Sequence, residues 1–507
     1  MIVIYVLMLV LFLINSLFNI QMLQQNSYNG KHKYFLYILR DYKNNYLVNA
    51  LKIIFLILTC LINTKIFVIL GLIVYILYEY KIYEKHKEKL PLKFTKRVFR
   101  ISCLNLIFFL SFSFNYKLLL TYIIFNSWIL IFIVFILTPV EKIIFNSYKN
   151  KALAKLNKMQ GINIIGITGS FGKTSTKMIL NSILSVKYKG FFTPGSYNTP
   201  NGVVLTLNNE KSIFNDYFIC EMGARKNGDI KELCDIVKPK YGIITSVGPA
   251  HLESFKSIDN VCKTKFELGE SLKEDGLLIL NKDSKYLREY KLKNKVKVVW
   301  VGIDKDADVM AKDIKITNKG TTFKLVIEKS SIMVNTILLG EKNIYNILES
   351  AALAYNLGLS LNEIKQGILN IKPIQHRLEI KQYNNITVID DSFNANPEGA
   401  KNALEVLSLM EGKKIVITPG MIEMGSSQEE LNFAFGKNIA EVADEVYLIG
   451  ENQTKPIKNG IESVNKKFNV HVYNRFIKAY NDIIKASGNE KIVILIENDL
   501  PDAYMEG

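Results

Sequence analysis

The run GITGSFGKTST, residues 166–176, holds the residue types that bind and polarise a phosphate chain. Its glycines let backbone N–H groups approach phosphate oxygens, the Lys173 ammonium suits the β and γ phosphates, and the Thr174 hydroxyl suits Mg2+. Gly169, Ser170, Gly172, Lys173, Thr174 and Ser175 are thus the candidate nucleotide contacts. An apolar strand, Ile162 to Thr168, precedes the loop and a helix, Lys173 to Leu184, follows it, the context that a phosphate loop requires. Further on, Glu221 in YFICEMGA and His251 in YGIITSVGPAHLESF each follow an apolar run. They stand at C-terminal strand ends, where open α/β sheets bind ligands.

Five residues rather than the common four separate Gly166 from Gly172. In that spacing the loop resembles that of the Mur ligases and their folate-type relatives, and the resemblance continues in order through the remaining chain. It is closest to the D-alanyl-D-alanine-adding members. The resemblance implies that Glu221 and His251 hold Mg2+ together with Thr174, with two ions in the site, and that Lys265 of KTKFEL is carbamylated to an anionic ligand. Lys173, Lys265 and His251 are then the catalytic set. It also implies that Asn343 and Asn346 of GEKNIYNILESAALA lie on the adenine side. The resemblance further implies that Arg377 of HRLEI and Asp391 of VIDDSFNANPEGA come from a domain that closes over ATP, with Asn394 and Asn396 in the same substrate-facing loop. Asn198 and Asn201 of SYNTPNGV are candidate acceptor contacts, a plain surface turn being the alternative.

Around these residues, short apolar strands alternate with helical stretches from Lys158 onward, the pattern of an α/β domain with a parallel sheet. The fold class expected is α/β: a helical transmembrane segment over residues 1–150, a central P-loop ATPase domain over 151–373 with a small β-rich excursion near 296–339, and a C-terminal Rossmann-like domain over 374–507. In that last domain, strands are expected near 386–390, 414–418, 445–449 and 492–496.

The hydrophobic share is 49%, with apolar runs crowded into the first 140 residues. Ile2 to Leu23 is long enough for a bilayer, where roughly 20 helical residues suffice. Runs near 47–63, 66–80, 101–114 and 118–140 bring the expected count to three to five helices. Lys81 to Arg100 carries eight Lys or Arg against two Glu. The positive-inside rule therefore predicts a multi-pass inner-membrane protein touching membrane lipid, with its catalytic domains in the cytoplasm. The net charge of +17 is spread around these runs rather than in one basic stripe, which excludes nucleic acid as the partner. Five cysteines without a C-x-x-C pair fit neither a disulfide framework nor a zinc ribbon.

The activity implied is ATP-dependent amide-bond formation through an acyl phosphate, joining an amino acid or short peptide to a carboxylate-bearing envelope precursor, UDP-linked or lipid-linked. Two other readings stay open on the sequence: a polymerising ligase of folate or poly-amino-acid type, and a membrane-tethered nucleotide-dependent regulator. Residues 1–150 show nothing like the soluble sugar-gripping domain of the D-alanyl-D-alanine-adding relatives. Gly420 stands where those relatives carry Asp, and Lys342 where they often carry His.

Overall fold

The computed structural model describes all residues except 31, 63, 88–90, 250, 251, 394, 423 and 499–507. It forms two compact units, divided near Ser147.

The first unit is helical: α1 (Ile2–Gln25), α2 (Lys33–Asn44), α3 (Tyr46–Leu61), α4 (Lys65–Lys87), α5 (Lys96–Ser111), α6 (Tyr116–Ile124) and the start of α7 (Asn126–Leu156). The apolar run 118–140 is broken at Phe125, where α6 ends and α7 begins. Among the described residues, three helices are long and apolar enough to cross a membrane, or four if the bent pair α2 and α3 counts as one. Buried amides knit the bundle: Asn105 Nδ2 donates to Ser16 Oγ (2.8 Å), while its Oδ1 accepts from Tyr122 and Asn126 (2.6 and 3.0 Å).

In the second unit the strands are β1 (Asn163–Thr168), β2 (Gly190–Phe192), β3 (Tyr217–Glu221), β4 (Tyr241–Ile244), β5 (Leu277–Asn281), β6 (Lys297–Gly302), β7 (Val309–Thr317), β8 (Gly320–Ile327) and β9 (Ser330–Thr336). They form one sheet in the order β2-β3-β1-β4-β5-β6-β7-β8-β9. It is parallel from β2 to β7 and antiparallel from there on. The β-rich excursion is therefore a continuation of the central sheet. Its central parallel strands β3, β1, β4 and β5 are mostly buried because helices cover both faces. Chief among these are α8 (Lys173–Leu184), α12 (Ile258–Ser271... preceded in the chain by α9, Pro200–Asn209, α10, Asp229–Val237, and α11, Leu252–Phe255) and, beyond the short α13 (Lys285–Glu289), α14 (Glu341–Asn356) and α15 (Leu361–Leu369). Ile167, Ile179, Leu180, Ile243 and Ile347 share one core.

The second sheet runs β10 (Glu379–Tyr383), β11 (Ile386–Asp391), β15 (Ile492–Glu497), β12 (Lys413–Thr418), β13 (Glu445–Ile449), β14 (Asn469–Tyr473). Only β10 is antiparallel to its neighbour. The four expected strands are present, whereas the edge strands β10 and β14 were not foreseen. Both lie at the sheet margin, with no fully buried residue in either, so neither reads as an apolar run.

Helices α16 (Pro397–Ser408), α17 (Gln428–Val442), α18 (Glu451–Val464) and α19 (Phe476–Ser487) complete this domain. A Cβ at Gly436 of α17 would lie 2.1 Å from the Ile457 carbonyl oxygen of α18, so the backbones touch only because position 436 has no side chain. Gly436→Ala is expected to cost about 1–3 kcal/mol through overpacking, read as a lowered Tm; an unchanged Tm contradicts this packing.

Candidate active site

The phosphate loop sits between the end of β1 and the start of α8. Gly172, the residue before the helix, has φ +83°, and a Cβ there would lie 2.7 Å from Asn346 Oδ1. No side chain caps α8, so its first N–H groups point at whatever lies in front of the loop, an arrangement that attracts anions. Lys173 Nζ donates to the carbonyls of Gly169 and Ser170 (2.7 and 3.0 Å).

A cavity of about 500 Å³ opens over this loop. Of the residues expected to act, Gly169, Ser170, Gly172, Lys173, Thr174, Ser175, Asn198, Glu221, Lys265, Arg377 and Asn396 all line it. Arg377 and Asn396 belong to the C-terminal domain and already share the cavity with the phosphate loop. The Arg377 guanidinium lies 4.1 Å from the centre of the Phe393 ring, another lining residue.

Of the other expected residues that the structure describes, Asn201, Asn343, Asn346 and Asp391 do not line it. Asn201 is exposed on α9, away from the cavity. Asn343 and Asn346 are buried on α14 behind the loop: Asn343 donates to the Leu339 carbonyl (2.8 Å), and Asn346 Nδ2 to Asn343 Oδ1 (3.2 Å). Asp391 accepts from the Leu378 amide at 3.2 Å, and Asn396 also caps α16 through the Gly399 amide at 2.8 Å. His251 and Asn394 lie outside the described residues.

Charge is arranged unequally in the cavity. Glu221, buried at the end of β3, accepts from Thr174 Oγ1 (3.1 Å) and Lys177 Nζ (2.8 Å) on one oxygen and from Asn198 Nδ2 (3.1 Å) on the other. Burial pulls its pKa up, but Lys177 and the other donors outweigh this and hold it below the usual range. Burial lowers Lys173 to about 8, with Arg377 adding to the effect and Glu221 opposing it. Lys265, on α12, is driven far lower by burial and by the neighbouring Lys173. Behind Arg377, burial pushes Asp391 up to about 6, and Glu497, at the paired end of β15, is raised by burial and by Asp391. Cations thus gather around one ionised carboxylate, a setting that favours a polyphosphate.

Three participants escape a reading of the sequence. Lys177 follows Thr174 by one turn and falls on the buried face of α8 with Leu180 and Leu184. A lysine in an apolar stripe was the available signal. Glu497 precedes the residues that lie outside the description, and no motif marks it. Glu349 of α14 is fully buried, accepting from Thr176 Oγ1 at 3.2 Å, while its other oxygen has no hydrogen-bond partner among the described residues. Burial raises its pKa well above 4.5, so it folds as the neutral acid. The unfolded chain must take up a proton there at neutral pH, so stability is greatest below pH 4.5 and falls as pH rises above it. Glu349→Gln is therefore expected to raise Tm at pH 7–8, with the gain shrinking towards pH 4.5; a gain independent of pH contradicts a neutral Glu349.

Residues 167–354 match the Mur ligase middle domain and residues 376–496 the Mur ligase, glutamate ligase domain. The chain is similar to the UDP-N-acetylmuramoyl-tripeptide--D-alanyl-D-alanine ligase of Buchnera aphidicola subsp. Baizongia pistaciae, 32% identical over 66% of this chain and 74% of that protein. It is 33% identical to the Escherichia coli ligase of the same name, over 54% of this chain and 61% of that one. Among solved structures, MurF from Acinetobacter baumannii aligns over 70% of this chain and 77% of its own, with TM-score 0.64 and 25% identity. The MurF ligase of Thermotoga maritima, in complex with ADP, covers 70% and 80%, with TM-score 0.63 and 26% identity.

These relatives correct the expected location. They are soluble cytoplasmic enzymes, so the multi-pass inner-membrane placement does not stand. The apolar helices are candidate spans by length and composition only. Contact with membrane lipid and a lipid-linked acceptor likewise find no support among them.

Proposed function

Because the chain belongs to the Mur ligase family of ATP-dependent, peptide-bond-forming ligases, we propose that it joins D-alanyl-D-alanine to the carboxylate of a UDP-N-acetylmuramoyl tripeptide, the reaction named in its relatives. The observation that carries this reading is one cavity lined by Lys173, Thr174, Glu221, Lys265 and Arg377, in a chain whose similarity to those relatives runs through both matched domains. The domain division proposed with it sets the helical segment at 1–150, the ATP-binding domain at 151–373 and the C-terminal domain at 374–507.

A carboxylate is a poor electrophile at neutral pH, so its oxygen first attacks the γ-phosphorus of ATP, giving an acyl phosphate and ADP. The amine then attacks the acyl carbon, and phosphate leaves. In this reading Lys173 and the α8 amides hold the phosphates, while Arg377 approaches them from the C-terminal domain. Asn198 faces the acceptor, with Asn396 on the same side, and the buried walls limit hydrolysis of the acyl phosphate.

The side chains present fit a divalent cation. Glu221 is held ionised at the cavity wall with the Thr174 hydroxyl 3.1 Å away. Mg2+ when bound neutralises charge on the phosphates, and Thr174, Glu221 and His251 are the residues proposed to hold it. Lys265 suits carbamylation: burial, and then the neighbouring Lys173, favour its neutral amine, the form that reacts with CO2.

The test uses the purified full chain with ATP, Mg2+, the UDP-linked tripeptide and D-alanyl-D-alanine. The expected result is ADP release that requires both co-substrates and a product heavier by the dipeptide less one water. ADP release without any need for the dipeptide, or a ladder of additions, overturns the proposal.

A further inference from the structure

The Lys177 ammonium is fully buried, and its partners come from two different parts of the site: Glu221 Oε2 at 2.8 Å and the Gly195 carbonyl at 2.5 Å. Gly195 belongs to the segment between β2 and α9, which also carries Ser196 and Asn198 to the cavity wall. That segment is tied to the end of β3 elsewhere as well. Asn198 Nδ2 reaches Glu221 Oε1, the Asn198 carbonyl accepts from the Gly223 amide at 2.8 Å, and the Glu221 amide donates to Thr193 Oγ1 at 3.0 Å. Thr174 and Lys177, three residues apart on α8, present a hydroxyl and an ammonium to the same carboxylate oxygen.

Burying an ammonium against a carboxylate is a costly way to gain stability, since desolvation of both charges offsets most of their attraction. The geometry of Lys177 offers something an apolar residue does not, a single cation that fixes two elements at once. We propose that Lys177 is a positioning residue that couples the acceptor-side segment 194–199 to Glu221, so that Asn198 and the nucleotide-side carboxylate are aimed together. This rests on the reading that Asn198 faces the acceptor and Glu221 the nucleotide. With the ammonium in place, Glu221 turns one oxygen to Thr174 and Lys177 and the other to Asn198. Without it, the Gly195 carbonyl and Glu221 each lose a partner, and the segment is free to shift relative to the phosphate loop.

The test compares the full chain with Lys177→Met and Lys177→Arg, reading ADP affinity, acceptor KM, kcat and amide hydrogen exchange over residues 194–198. Lys177→Met is expected to keep ADP affinity within about threefold, raise acceptor KM about tenfold or more, and speed exchange in that segment. Lys177→Arg is expected to restore part of both. If Lys177→Met does not fold, Lys177→Met/Glu221→Gln, which removes both buried charges, is compared with Glu221→Gln alone, and the same rise in acceptor KM and exchange is expected. Unchanged acceptor KM and exchange overturn the proposal, as does an equal weakening of ADP and acceptor, which marks Lys177 as a general support of the site. If the wild-type chain shows no acceptor-dependent ADP release, the substrate reading fails, while the exchange measurement still decides whether Lys177 orders the segment.

Discussion

Lys173→Met is expected to lower kcat for ADP release by about 10³-fold, with the chain still folded. The size follows from what the residue does: a preorganised cation aimed at the transferring phosphoryl group, in a site from which bulk water is largely excluded, contributes several kcal/mol that solvent does not replace. Stability should move the other way. The ammonium is depressed from 10.5 to about 8 by burial, so between these values the unfolded chain binds more protons than the folded one. Stability therefore rises with pH across that window, and the cost of burying the charge is fully present below about pH 8. The ligand-free Lys173→Met chain should melt no lower than wild type at pH 7, and any advantage should fade as pH approaches 10.5. A fall in kcat of less than about tenfold removes Lys173 from the chemistry. A variant that loses its fold instead leaves ADP binding by Lys173→Arg to decide the same point: retained affinity with the kcat loss supports the role, and wild-type kcat opposes it.

Lys265→Ala is expected to cost about 10²-fold or more in kcat, and short carboxylic acids such as acetate should recover part of the loss. Both expectations follow from an amine whose neutral form, favoured by burial, captures CO2 and then serves as an anion. The residue is almost fully buried on α12 and lines the same cavity as Glu221, so its charge state is felt directly by whatever cation sits there. Wild-type enzyme depleted of CO2 should lose activity and regain it with bicarbonate, and ¹³C-labelled bicarbonate should give a carbamate resonance that Lys265→Ala lacks. Activity indifferent to CO2, together with no rescue by carboxylic acids, rules out carbamylation while leaving the ligase reading intact.

Several elements were legible from the chain alone. The helix after the phosphate loop runs from Lys173 to Leu184 as its pattern implied, and β13 occupies 445–449 as expected, because both carry an unbroken local signal. The departures have local causes too. The 118–140 run is strongly apolar on average, which hides the polar pair Asn126 and Ser127 that follows the break at Phe125. Strands β10 and β14 are recruited by a neighbouring strand at the sheet margin rather than by apolar content of their own.

The same division holds for the chemistry. Residues 166–176 announce a phosphate site because such a site is built from backbone amides and a lysine within a dozen consecutive positions, all of them visible in one stretch of sequence. The family follows from similar short motifs. What occupies the space around Glu221 was decided only when the sheet placed β3 beside β1, and α8 in front of both. Lys177, Asn198 and Gly195 meet there from separate segments, and Glu349 and Glu497 are buried by neighbours far away in sequence. Charge state and aim depend on burial and on partners brought from a distance, and neither quantity exists until the chain has packed.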